Sequence, residues 1–127
     1  MKKESFHVEL LKTFSMNYDI IPTPDFARSL KLLAKRHKSL KQDMLALVAS
    51  LREDPLQGKE LAPNIRKVRL AITSKRKGKS GGARVITYVI AVSEEEGRVY
   101  LIEIYDKSDF DTVDVSVVKE MIEELGL

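Results

Sequence analysis

From Ser74 to Arg84 the chain reads Ser-Lys-Arg-Lys-Gly-Lys-Ser-Gly-Gly-Ala-Arg, five basic residues and three glycines without an acid among them. That chemistry is suited to phosphate. Lys75, Arg76, Lys77 and Lys79 carry cations on long arms, and Arg84 adds a planar fork able to hold a phosphate through two parallel hydrogen bonds. Gly78, Gly81 and Gly82 permit sharp turns and close backbone approaches that a side chain forbids. Taken alone, a solvated basic hairpin loop accounts for the stretch equally well. Its neighbours decide its meaning.

Upstream, Val68, Leu70 and Ile72 alternate with Lys67, Arg69, Ala71 and Thr73, the pattern of a half-buried strand. If the apolar set faces a core, Lys67 and Arg69 point the other way. Downstream, Ala83–Val92 is apolar on both faces, as a central strand is, and Arg84 opens it beside the loop. In a third strand, Val99–Tyr105, strict alternation continued through Lys107 puts Leu101, Glu103, Tyr105 and Lys107 on one face. Tyr100, Ile102 and Ile104 then form the better core set. A helix-free sheet face would gather Lys67, Arg69, Arg84, Lys107, Tyr105 and Glu103, roofed by the loop lysines. Such a trough fits RNA, with phosphates held by the cations and an unpaired base stacked on the tyrosine. The same residues also fit a solvated sheet face with Glu103 in a cross-strand salt bridge.

The elements that must position this trough are legible too. Asn17–Ile21 reads as a short strand ended by Pro22. Thr23-Pro24-Asp25 opens a helix with a capping hydroxyl, a proline at the first helical position and an acid in the first turn. Its apolar stripe is Phe26, Leu30, Leu33 and Ala34. His37, in the break that follows, is expected to be solvated. Ser39 and Gln42 match a capping box before a second helix whose stripe is Leu40, Met44, Leu47, Val48 and Leu51. Leu56–Asn64 reads as a loop. A closing helix carries Val115, Val118, Met121, Ile122 and Leu125, with Asp114 placed to cap it. The expected class is α+β: a small antiparallel sheet packed on an N-terminal helical hairpin and a C-terminal helix, in the order β-α-α-β-β-β-α.

At 127 residues the chain has the length of one domain. It has no cysteine, which excludes a disulfide framework and thiolate catalysis. No apolar run approaches a membrane span, and no secretion signal is expected at the N-terminus. His7 and His37 are too few and too scattered for a metal site, and no cofactor is implied. Gly78-Lys79-Ser80 superficially matches the end of a Walker loop, but Thr73 stands where its first glycine belongs and a strand, not a helix, follows. The net charge of +3 conceals an asymmetry: Ala27–Arg84 carries 16 Lys and Arg against 4 Asp and Glu, whereas Val85–Leu127 carries 3 against 11. That polarity suits a polyanion-binding surface.

With these segments in place, the chain resembles the RelE/ParE toxin superfamily, specifically the RelE/HigB-like branch of type II toxin–antitoxin systems. The resemblance runs from Met16 to Leu127. It is carried by Asn17–Ile21, the helix Pro24–Lys35, Ser39-Leu-Lys-Gln-Asp43, Lys67-Val-Arg-Leu70, Gly78–Ile86 and Ile104-Tyr-Asp-Lys-Ser108, of which the last two are the most specific. It implies a RelE-like domain over 16–127, preceded by an extension over 1–15. It further implies a cytoplasmic, ribosome-dependent messenger RNA endoribonuclease that uses no metal and inhibits translation. Cleavage in such proteins proceeds by attack of the ribose 2′-hydroxyl on the adjacent phosphate.

By that resemblance Lys67 and Arg69 take the family's basic pair, Arg84 the arginine on the scissile phosphate, and Lys107 lies near the residue associated with the leaving oxygen. Lys75, Arg76, Lys77 and Lys79 would grip RNA backbone. Crowded lysines depress one another's pKa, so one of them can serve as base, with Glu103 the alternative. The closing helix lacks the tyrosine that RelE carries near its C-terminus; Tyr105 is the candidate replacement, and the acid and base stay open. The implied partners are the ribosome with its message and a cognate antitoxin of the small helix-turn-helix kind, with no membrane. A ParE-like, non-enzymatic inhibitor of DNA gyrase and a non-toxic basic RNA-binding module are the alternatives.

Overall fold

The computed structural model describes residues 17–76, 78–110 and 112–127. The expected extension 1–15 with His7, Met16 after it, and loop residue Lys77 lie outside the described residues. Strand β1 (Asn17–Pro22) is followed by helices α1 (Pro24–Arg36) and α2 (Leu40–Glu53). Strands β2 (Lys59–Ala62), β3 (Ile65–Leu70), β4 (Ala83–Ala91) and β5 (Glu96–Asp106) come next, and helix α3 (Val115–Glu124) closes the chain. The class is α+β, as expected, but the sheet is mixed rather than antiparallel. Its order is β1-β5-β4-β3-β2, with β1 parallel to β5 at the edge.

The element order also differs from expectation by one strand. Residues read as loop contain β2, which pairs antiparallel with β3 through a hairpin whose tip, Asn64, takes the left-handed conformation. β2 is only four residues long and carries a bulge between Glu60 and Ala62, so it shows no clean period of two. Pro63-Asn64 was its one turn signal.

Helices α1 and α2 cover one face of the sheet. Phe26, Leu33, Leu40, Met44, Leu47 and Leu51 pack there against Val68, Leu70, Ile72, Val85, Leu101 and Ile104. Thr23 caps α1 as its sequence requires, accepting the Phe26 amide while donating to the Leu101 carbonyl at 2.8 Å. The Ser39–Gln42 capping box does not form. Ser39 takes a helical backbone conformation, and its hydroxyl instead donates to Asp43 at 2.8 Å and accepts the Ser74 amide at 2.8 Å.

The opposite face is not helix-free. Helix α3, capped by Asp114 through the Ser116 amide at 2.9 Å, packs Val118 and Ile122 on Ile65, Ile86, Ile102 and Tyr105. Strict alternation fails in β5 because Ile86 pairs with Glu103 but Thr87 pairs with Leu101, leaving Ile102 as an extra residue. That bulge inverts the alternation. Leu101 and Ile104 therefore both join the main core, while Ile102 and Tyr105 both join the second. The sequence pattern had grouped Leu101 with the site face and Ile102 with Ile104. No described helix is long and apolar enough to cross a membrane.

Candidate functional site

The part of this second face that α3 leaves uncovered carries a cavity of about 550 Å³. Among the described residues six cations line it, Lys59, Lys67, Arg69, Lys79, Arg84 and Lys107, with Gln57, Gly58 and Val68 between them and no carboxylate. The strand register explains the crowding. Lys59 stands opposite Lys67 across β2 and β3, and Arg69 stands opposite Arg84 across β3 and β4. Like charges directly opposite one another weaken a sheet. Two such pairs side by side form a surface whose repulsion an anion would relieve.

Lys67 feels this most. Burial pushes its ammonium below the ordinary lysine range, and Lys59, Arg84, Lys107 and Arg69 push it further the same way. Arg84 is almost wholly buried, and its pKa is lowered by burial and by Arg69, with Tyr105 acting in the opposite direction. Its guanidinium donates to the carbonyls of Lys79 at 2.8 Å, Ala83 at 3.1 Å and Ser80 at 3.3 Å. Two of its five donors are thus used in holding the loop at Lys79 and Ser80, and a third goes to the neighbouring Ala83 of β4. The loop is fixed from its other side by Gly82. A Cβ there would collide with the Leu70 carbonyl and crowd Ala71, and the Gly82 carbonyl accepts the Lys107 amide at 2.9 Å.

The remaining expected site residues lie elsewhere. Lys75 does not reach the cavity: its ammonium sits 2.9 Å from the buried carboxylate of Asp106, on the α1 side of the sheet. Arg76 is exposed in the left-handed conformation after a 3-10 turn at Thr73–Lys75 and does not line the cavity. Tyr105 is buried against α3, edge-on to Phe110 at 5.9 Å, so its ring is no open stacking platform. Its hydroxyl has no hydrogen-bond partner among the described residues, and burial raises its pKa against the pull of Arg84. Glu103 makes no cross-strand salt bridge among the described residues; its carboxylate accepts the Ile104 amide at 3.0 Å and borders a separate pocket with Tyr105 and Phe110.

No family model matches the chain, and no curated protein does either.

Two groups of residues were given no role by the sequence pattern, one lining the cavity and one across the sheet from it. Lys59 and Gln57 line the cavity but fell in an apparent loop; only the pairing of β2 with β3 brings Lys59 to Lys67. Asp106 is the second. Fully buried, it holds His37 at 2.8 Å, Lys75 at 2.9 Å and Ser108 through both hydroxyl and amide, at 2.6 and 2.9 Å. Arg36 approaches it at 3.5 Å. His37 is consequently not solvated but a part-buried partner of this hub. Asp43 anchors the same turn from α2, accepting from the Thr73 amide at 2.9 Å and hydroxyl at 2.5 Å.

Proposed function

We propose that the protein is a translation-inhibiting toxin of the RelE/HigB-like kind, an endoribonuclease that binds messenger RNA at the ribosome and cuts it without a metal. The single observation that carries this reading is the pair of like-charge strand contacts, Lys59–Lys67 and Arg69–Arg84, lining one cavity without a carboxylate. A site that accumulates such repulsion is built for a polyanion, and the phosphodiester chemistry follows from its members. The ribose 2′-oxygen forms a bond to phosphorus while the bond to the 5′-oxygen breaks, giving a cyclic phosphate and a 5′-hydroxyl. Lys67, whose ammonium is depressed by burial and by its neighbours, is the group best suited to take the 2′-proton. Arg84 and Arg69 balance the charge on the phosphorane, and Lys107 delivers a proton to the leaving oxygen. The family resemblance supports the same assignment of Lys67, Arg69, Arg84 and Lys107. The ribosome, its message and a cognate antitoxin are the partners of this reading.

Mapping cuts in messages under translation tests it. Wild-type protein should produce discrete cuts, and Lys67→Met should reduce their rate by about 10²- to 10⁴-fold. Intact messages with wild-type protein would overturn cleavage. Supercoiling inhibition of DNA gyrase in the same preparation would then favour the non-enzymatic alternative, and salt-dependent RNA binding alone would leave a binding module.

A further inference from the structure

A second cavity, of about 290 Å³, opens beside the cationic one, and the two share Gln57, Arg69 and Lys79 as a common border. Its character is different. Ala46 and Leu47 of α2 and Ala71 after β3 supply apolar surface, and Ser50 and Gln57 supply polar edges. We propose that this second cavity is a nucleobase subsite, seating the base of a nucleotide whose phosphate lies among the cations next door, with Gln57 and Ser50 reading its edge. The inference rests on the RNA-binding reading above and goes beyond it by placing a base where nothing cationic is needed.

The hydrogen bonds define what the subsite offers. The Gln57 amide nitrogen donates to Ser50 Oγ at 2.8 Å and to the Asp54 carbonyl at 3.2 Å. A carbonyl can only accept, so the amide is fixed with its nitrogen on that side, and Oε1 has no partner among the described residues. Ser50 Oγ, accepting from Gln57, keeps its own proton to donate. An acceptor and a donor thus lie side by side, which matches the donor–acceptor edge of a base, while a flat ring suits the alanine and leucine surface. A phosphate would find no cation on the α2 side of this cavity. Cations crowd the first chamber, whereas the second shares Arg69 and Lys79 with it and adds amide, hydroxyl and methyl groups together with the Asp43 carboxylate, which is taken up by Ser39 and Thr73; that division follows the repeat of a nucleotide.

Binding of short labelled oligoribonucleotides, compared with abasic strands of equal length and charge, tests the subsite without requiring cleavage. Wild-type protein should bind the base-bearing strands about tenfold more tightly than the abasic ones, with a preference among the four bases. Gln57→Leu should bring that ratio close to one. Ala46→Phe, which fills the cavity from an exposed helix position, should do the same even if Gln57→Leu disturbs its loop. Wild-type protein binding both strands equally would overturn the subsite and leave the cationic cavity standing. Binding to neither strand would overturn both.

Discussion

Lys75 Nζ lies 2.9 Å from Asp106 Oδ1, and this contact divides the basic loop into halves of different use. The first half, Thr73–Lys75, is pinned to the α1 and α2 side by Asp106, Asp43 and Ser39. The second half, Lys79–Gly82, is held to the other face by Arg84 and by the fit of Gly82 against β3. A loop read as one phosphate grip is, on this geometry, an anchor followed by a cavity wall. The anchor is what lets the wall stay in place, because repulsion among six cations would otherwise push a mobile loop away.

Removing the anchor should therefore cost stability. Asp106→Asn leaves Lys75 without its carboxylate and removes the weaker of the two that Arg36 meets, Asp109 remaining at 2.8 Å, and the expected loss at pH 7 is about 3 kcal/mol by urea denaturation. The pH dependence has a definite sign. Burial alone would raise the Asp106 pKa, but Ser108, Lys75 and His37 outweigh it and hold the carboxyl far below its ordinary range. The unfolded chain then takes up the proton first, so this stability is complete above about pH 4 and lost on acidification. The variant should show a flatter acid limb, retaining among the described residues the slope from Asp43 and Asp114, whose pKa values are also lowered. An unchanged limb would contradict the hub.

Lys67 makes the opposite prediction. Its folded pKa is depressed, so the protonated folded form is penalised at neutral pH and relieved as pH rises through the folded value. Lys67→Met should stabilise the protein by about 1 kcal/mol at pH 7, and the gain should shrink in alkaline solution. The same substitution should slow cleavage by about the 10²- to 10⁴-fold given above. A variant both less stable and less active would place Lys67 among structural residues instead.

These two residues show where the sequence was readable and where it was not. Val68, Leu70 and Ile72 announced their buried face by alternation alone, and Thr23 and Asp114 announced their helix caps. Lys67 and Arg69 followed because period two is local. What failed was everything set by pairing between distant strands. The bulge at Ile102 moved Leu101 and Ile104 into one core, although no residue type there marks a bulge. Lys59 came to Lys67 through a four-residue strand too short to show a period. Asp106 drew in His37, 69 positions away, a contact visible only once β5 and the end of α1 meet. The loop's composition was legible; its division was not.

Tyr105 separates a chemical role from a packing role. Its hydroxyl is buried without a partner among the described residues, and an unsatisfied buried hydroxyl costs about 1–3 kcal/mol. Tyr105→Phe should leave stability unchanged or raise it, measured by thermal and urea unfolding, because the ring contact with Phe110 is kept. Cleavage should also be unchanged. A large loss of rate with normal stability would restore the phenol as proton donor and remove Lys107 from that role.

Salt dependence distinguishes the two halves of the loop directly. Binding of single-stranded RNA should weaken linearly in log[salt], by about 0.7 per phosphate neutralised. Lys79→Ala and Arg69→Gln each remove a cation from the cavity wall, and each should flatten that slope by about 0.7. Lys75→Met removes a cation already spent on Asp106, so the slope should stay at the wild-type value while stability falls. Both effects are read from the same purified proteins by anisotropy titration and urea melts. Equal flattening by Lys75→Met and Lys79→Ala would mean that Lys75 leaves Asp106 to meet the RNA, and the division of the loop into anchor and wall would be wrong.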